Sequence, residues 1–267
     1  MMADGSMFKH WLKYIYAVIL LLGITSLTAF LWLSRPLVES PEEINVFRQN
    51  CLIAHAGGAI DGYTYTNSKE ALINSLDKGF RYIELDLYET TDSNVVCLHG
   101  LEDYCQMTSI GVETLDTKTF LSHKLYGKYT PMTLSDAIKI WEQRPFLFVT
   151  DKISDPKILN KYFKNNRDKV YVEAFSLKDY LQLERDGYKP MLTRDGSRRG
   201  MLWFLMENIV YKNKVSIVTT CFASKTLLRI YKNMGVKVAL FTVNDEDYVK
   251  SHVGKYVDFI YTDYLEP

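Results

Sequence analysis

Tyr82-Ile83-Glu84-Leu85-Asp86-Leu87 is a β-branched and apolar run interrupted by two carboxylates. Alternate side chains of an extended strand share a face, so Glu84 and Asp86 address one point. Charged groups in such a run are costly unless they are paired, hydrogen-bonded or hold a metal. Upstream, Leu52-Ile53-Ala54-His55-Ala56-Gly57-Gly58 carries a strand-like run into a histidine, and downstream His99-Gly100 follows the run Asn94–Leu98. Two hard oxygen donors suit Mg²⁺ or Ca²⁺, and imidazoles exchange protons near neutral pH. A single strand histidine is more often a packed core residue than a catalyst. Two histidines bracketing a Glu-x-Asp pair, all at successive predicted strands or strand ends, point instead to metal-assisted cleavage of a phosphodiester.

Nine apolar runs follow one another from residue 50 onward: Cys51–Ala54, Tyr82–Leu87, Asn94–Leu98, Phe146–Val149, Val170–Phe175, Met191–Thr193, Val215–Thr220, Val238–Thr242 and Val257–Tyr261. Helix-start signals fall between most of them. Asn67-Ser68-Lys69-Glu70 reads as a capping box that opens a helix, Thr133-Leu134-Ser135-Asp136 as the start of a second, Asp155-Pro156 as an N-cap followed by proline, and Ser176, Ser224 and Asp245 as further helix starts. Gly187 and Gly235 sit where C′ glycines belong. This alternation predicts an α/β fold with a mainly parallel sheet, a TIM-type (β/α)8 barrel over residues 50–267. Nine runs exceed the eight that close a barrel, so one is accessory. About seven residues join Leu87 to Asn94, too few for a helical crossover, and the barrel is expected to be irregular there.

The 267 residues carry 32 basic and 32 acidic side chains. With no net charge, basic tract or zinc-finger spacing, nucleic acid is not an expected partner. The twenty residues Tyr14–Leu33 lack any charge and, as a helix, reach about 30 Å, the thickness of a bilayer core. Trp11, Tyr14 and Tyr16 at one end and Phe30 and Trp32 at the other suit the two interfaces. A cleaved signal peptide and a buried helix are the other readings, but the run is long for a signal peptide and no small-x-small cleavage site precedes Arg35-Pro36. The expected organisation is a tail (1–13), a transmembrane anchor (14–33), a tether (34–49) and the barrel. Lys9 and Lys13 before the span are nearly balanced by Arg35 and Arg48 after it. Large domains translocate largely regardless of charge, which favours an extracytoplasmic barrel. Cys51, Cys97, Cys105 and Cys221 leave the compartment open, with a Cys97–Cys105 bridge one option.

From Cys51 to the C-terminus the chain resembles the glycerophosphodiester phosphodiesterase family, within the superfamily that includes phosphatidylinositol-specific phospholipases C. His55-Ala56-Gly57 is similar to the family's His-Arg-Gly, and Tyr65-Thr66-Asn67-Ser68 to its Pro-Glu-Asn-Thr. Glu84 and Asp86 match its Glu-x-Asp strand, and Thr91-Asp92-Ser93-Asn94-Val95-Val96 its Thr-x-Asp-Gly-x-Val-Val. His99 follows thirteen residues after Asp86, with His-Gly in place of the usual His-Asp. Phe241-Thr242-Val243-Asn244 and Asp258-Phe259-Ile260-Tyr261-Thr262-Asp263 resemble its Trp-Thr-Val-Asn and Asp-x-Ile-x-Thr-Asp.

The resemblance implies a barrel with its site at the C-terminal strand ends, His55 as general base, His99 as general acid, and Glu84 and Asp86 on Mg²⁺ or Ca²⁺. A neighbouring substrate hydroxyl would attack phosphorus, and the cyclic product would then be hydrolysed. The implied substrate is a glycerophosphodiester, either a deacylated phospholipid head group or a phosphoglycerol-containing surface polymer. Three departures stand out. Ala56 replaces an arginine expected on phosphate, leaving Lys152 and Arg194 as candidates for that contact. Thr150 stands where the third metal glutamate belongs. Asp151 replaces it if a bulge turns both Asp151 and Lys152 inward, and is otherwise an exposed loop carboxylate paired with Lys152. Gly100 removes a carboxylate that orients imidazole or metal. These departures keep two alternatives open: a phospholipase C-like lyase that stops at a cyclic phosphate, and an anchored binding module without catalysis.

Overall fold

The computed structural model describes residues 5–33, 35, 51–194, 215–221 and 223–267. Its first element, α1, is a helix over Gly5–Leu33, starting earlier than the expected span. Within it Trp11–Trp32 has a mean hydropathy of 2.1 and none of its length is buried, so by length and composition it is able to cross a bilayer. The tether except Arg35, and residues 195–214, lie outside the described residues.

The strands are β1 (Leu52–Ala54), β2 (Tyr82–Glu89), β3 (Val95–Cys97), β4 (Leu147–Asp151), β5 (Val170–Ala174), β6 (Lys189–Thr193), β7 (Ile217–Thr220), β8 (Lys237–Leu240) and β9 (Phe259–Thr262). Eight of them are parallel and close on themselves, because β1 pairs with both β9 and β2. The accessory run is β3. It pairs antiparallel with the far end of β2, Leu87 facing Cys97 and Glu89 facing Val95. A hairpin needs only a short connection, which accounts for the seven-residue joint. The first five residues of β2 pair with β4 and its last three with β3, so β2 overshoots the barrel rim and carries β3 above the C-terminal face.

Side-chain parity divides the core. Ile53, Val149, Met191, Ile217, Ala239 and Tyr261 fill the barrel interior. Ile83, Leu85, Phe148 and Val172 belong to the larger layer between strands and helices. A satellite core under β3 buries Val96, Leu98, Tyr104, Phe120, Leu125 and Tyr129 among the helices Leu101–Thr108 and Thr117–Ser122. Each such side chain removed from water contributes about 1.5–3 kcal/mol, enough to fix the segment that delivers His99 to the rim. Helix starts follow the capping chemistry: Thr133 and Asp136 form a reciprocal box, Pro156 occupies the first turn after Asp155, and Ser176 accepts from the Asp179 N–H. All four cysteines are free thiols.

Candidate active site

Glu84 and Asp86 point into the barrel near its C-terminal end and are almost fully buried, at 1% and 2% exposure. Glu84 Oε2 accepts the Ala56 N–H at 2.7 Å, whereas its Oε1 has no hydrogen-bond partner. Ala56 aims that N–H by taking a left-handed conformation (φ 49°, ψ 39°). The residue that replaces the family arginine therefore serves through its backbone. Asp86 is clamped by Asn67, whose Nδ2 donates to Asp86 Oδ2 at 2.9 Å while Oδ1 accepts the Asp86 N–H at 3.0 Å. Asn67 looked like part of a capping box. The cap is Ser68 alone, and Asn67 is a site residue.

Asp151 reaches the site without a bulge. The β2–β4 ladder runs unbroken from Tyr82 beside Leu147 to Asp86 beside Asp151, with Glu84 beside the interior residue Val149. Strand parity alone therefore turns Asp151 inward, and its side chain is only 17% exposed. Thr150 faces the opposite way, beside Leu85, and is fully buried. Lys152 is brought round by a left-handed backbone (φ 70°) just past the strand. Its ammonium lies 3.2 Å from Asp151 Oδ2 and 4.0 Å from Asp86 Oδ1. Arg194 is not brought to this cavity. Its Nη1 donates to the carbonyls of Phe175 and Thr193, at 3.1 and 3.0 Å, which ties it to the strand ends instead of to a phosphate position.

Each histidine is oriented by a carboxylate. His55 Nδ1 donates to Asp263 Oδ1 at 3.0 Å and lies 3.2 Å from Thr242 Oγ1. Asp263 Oδ2 in turn accepts from Asn244 Nδ2 at 3.0 Å. His99 Nδ1 donates to Asp103 Oδ2 at 2.8 Å. Asp103 sits one helical turn on and fills the place left by Gly100. The Tyr65 ring stands edge-on to both imidazoles, with centroids 4.7 Å from His55 and 5.3 Å from His99. The two histidines thus flank one cavity of about 110 Å³.

Glu173, on β5, lines the same cavity at 4% exposure. Its Oε1 accepts from the Tyr261 hydroxyl and its Oε2 from Thr193 Oγ1, both at 2.6 Å. It went unassigned in the sequence, although a carboxylate inside the apolar run Val170–Phe175 is the signal that marked Glu84 and Asp86. Tyr65, Asn67 and Asp263 stand in stretches that resemble family motifs but that do not reveal what each side chain touches, and Asp103 stands in none.

Burial raises the Glu84 carboxyl well above its ordinary range, and the charges of Asp86 and Asp151 add to it. Asp86 is raised by burial, partly offset by Asn67. Glu173 is pushed up to about 8 by burial and by Asp151. For Lys152 burial acts downward, but Asp151 and Asp86 outweigh it and hold the ammonium above its usual range. For Asp263 burial acts upward, and the hydrogen bonds from His55 and Asn244 outweigh it, leaving the carboxyl low and ionised.

Hard oxygen donors, an unpartnered buried carboxylate oxygen and a surplus of negative charge fit a divalent cation. Among the described residues no three His, Cys, Asp or Glu side chains already converge on one ion position. The Lys152 ammonium instead lies against two of the acids.

Neither a family model nor a curated protein matches the sequence. Solved structures do match the fold. A glycerophosphodiester phosphodiesterase from Thermotoga maritima superposes with a TM-score of 0.63 at 18% identity, covering 80% of this chain and 94% of that one. A phosphodiesterase from Oleispira antarctica, in complex with the product sn-glycerol-3-phosphate, gives 0.62 at 18% identity over 80% and 93%. A glycerophosphoryl diester phosphodiesterase from Parabacteroides distasonis gives 0.60 at 16% identity over 85% and 89%. At these identities the likeness establishes a shared barrel.

Proposed function

We propose that this chain hydrolyses glycerophosphodiesters in a reaction that depends on a divalent cation. One observation carries the reading: two imidazoles, each oriented by its own carboxylate, flank a single cavity holding buried acids and Lys152. The barrel shared with glycerophosphodiester phosphodiesterases supports it, as does the glycerol phosphate product held by the Oleispira enzyme.

His55 donates through Nδ1 to Asp263, so its neutral imidazole turns Nε2 towards the cavity as the atom that takes the proton of an attacking hydroxyl. Asp263 stabilises the imidazolium that results. His99, oriented by Asp103, holds the proton that passes to the leaving alkoxide. The Lys152 ammonium faces the phosphoryl oxygens. Glu84, Asp86 and Asp151 would hold the cation, Mg²⁺ or Ca²⁺, which when bound neutralises phosphoryl charge. Asp103 beside His99 and the inward-facing Asp151 support catalysis over a non-catalytic binding module. We read α1 as an uncleaved single-pass anchor with the barrel outside the cytoplasm, close to deacylated head groups or phosphoglycerol polymers of the envelope.

The test is turnover of glycerophosphodiesters by the full chain in detergent, with chelator and with added Mg²⁺ or Ca²⁺. Ion-stimulated release of glycerol phosphate is expected, falling about 100-fold or more in His55→Ala and in His99→Ala. No turnover across a broad substrate panel, or turnover indifferent to both substitutions, refutes the reading. Accumulation of a cyclic phosphate that is never hydrolysed identifies a lyase instead.

A further inference from the structure

The cation reading above names three carboxylates, and the barrel presents a fourth. In the β2–β4 ladder Asp86 faces Asp151, and in the β4–β5 ladder Thr150 faces Val172. One residue further along that register sets Asp151 beside Glu173. Asp86, Asp151 and Glu173 therefore occupy one level on three neighbouring parallel strands, spaced about 4.8 Å apart. Glu84 lies one step below, with its unpartnered Oε1 in the same cavity. Were all four carboxylates ionised, the one ammonium of Lys152 would leave three negative charges uncompensated in a buried space, and buried charge is stable only when paired.

We propose that Glu173 is a fourth carboxylate of the cation site and that it tips the site towards Ca²⁺ over Mg²⁺. The inference rests on the cation reading of Glu84, Asp86 and Asp151. Ca²⁺ takes six to eight oxygens in flexible geometry, whereas Mg²⁺ keeps several waters and is held by about one or two carboxylates. A level of three acids with a fourth beneath it supplies more carboxylates than the roughly one or two that usually hold Mg²⁺. The hydrogen bonds from Tyr261 and Thr193 engage one lone pair on each Glu173 oxygen, and each oxygen has a second. These donors hold the carboxylate on the cavity side of β5 without exhausting it.

The experiment is calorimetric titration of the chelator-stripped full chain with Ca²⁺ and, separately, with Mg²⁺. Wild type is expected to favour Ca²⁺. Glu173→Gln should weaken Ca²⁺ by about tenfold or more and Mg²⁺ by less than about threefold, so that the preference shrinks. Tyr261→Phe, which removes a hydrogen bond but no charge, should keep the preference. If Glu173→Gln does not fold, Glu173→Asp decides, since its retracted carboxylate should also lower the Ca²⁺ to Mg²⁺ ratio. An unchanged ratio in Glu173→Gln, or in Glu173→Asp where that stands in, overturns the proposal and leaves Glu173 as a hydrogen-bond acceptor only. Wild type binding neither ion, or binding undiminished in Glu84→Gln and Asp86→Asn, overturns the cation reading itself.

Discussion

The two histidine–carboxylate pairs differ in burial, and that difference predicts unequal kinetic effects. His55 and Asp263 have side chains 11% and 10% exposed, against 36% and 34% for His99 and Asp103. Asp263→Asn keeps the size of the side chain but replaces one of the two oxygens that accept from His55 and Asn244 by an NH2, and the charge that stabilises an imidazolium is lost. A hydrogen bond to a charged group away from water is worth about 1.5–3 kcal/mol. At about 1.4 kcal/mol per decade of rate, the expected fall in kcat is about 10- to 150-fold. Asp103→Asn acts on a pair that water already screens, where about 0.2–1 kcal/mol is typical, so kcat should fall about fivefold at most. Neither carboxylate faces the phosphate position. In each variant kcat and kcat/KM should therefore fall together with KM little changed. Steady-state kinetics on a soluble glycerophosphodiester, with circular dichroism to verify folding, reads both variants. Equal losses, or a larger loss in Asp103→Asn, would refute the assignment of His55 as the buried base.

Two further outcomes follow from the cavity walls and its acids. Tyr65 meets both imidazoles edge-on from a left-handed backbone position (φ 57°), so its ring keeps the two catalysts apart. Tyr65→Phe should retain kcat within about threefold, whereas Tyr65→Ala, losing two aromatic contacts of about 0.5–1.5 kcal/mol each, should lose about tenfold or more. Comparable kinetics for the two variants would remove Tyr65 from the site. The pH dependence of stability has a definite sign. Glu84, Asp86 and Glu173 are all raised in the folded protein, so they favour its protonated form when no cation is bound. Their contribution is complete below the ordinary carboxylate range and is lost as pH rises, with Glu173 carrying the window from 4.5 up to about 8. Melting of the chelator-treated protein should therefore drop across that interval, and Ca²⁺ should rescue it most at the upper end. A cation-free melting temperature that rises over the same interval would contradict the acid surplus.

How far the sequence was legible depended on whether a residue's role is set by its own strand or by a neighbour. Period-two patterning alone turns Glu84 and Asp86 to one face, and a joint too short for a crossover marks where the barrel is irregular, while the pairing shows that β3 is the accessory strand. Asp151 shows the limit of matching a motif. Aligning Val149-Thr150-Asp151-Lys152 by its lysine puts Thr150 in the acidic position and forces a bulge, whereas the β2–β4 register puts Asp151 level with Asp86 on a regular strand. The displaced element is Lys152, whose left-handed φ lets two consecutive residues reach one cavity. No local sequence pattern announces that conformation in a lysine. Asp103 and Asp263 were likewise illegible as partners, one because a helical turn brings it back onto His99, the other because closing the barrel sets β9 beside β1. Arg194, also near a strand end, does not line the cavity, and its Nη1 donates to the carbonyls of Phe175 and Thr193. Glu173 is different, since a carboxylate in an apolar strand run was visible throughout. The physical rule that identifies Glu84 and Asp86 applies to it with equal force.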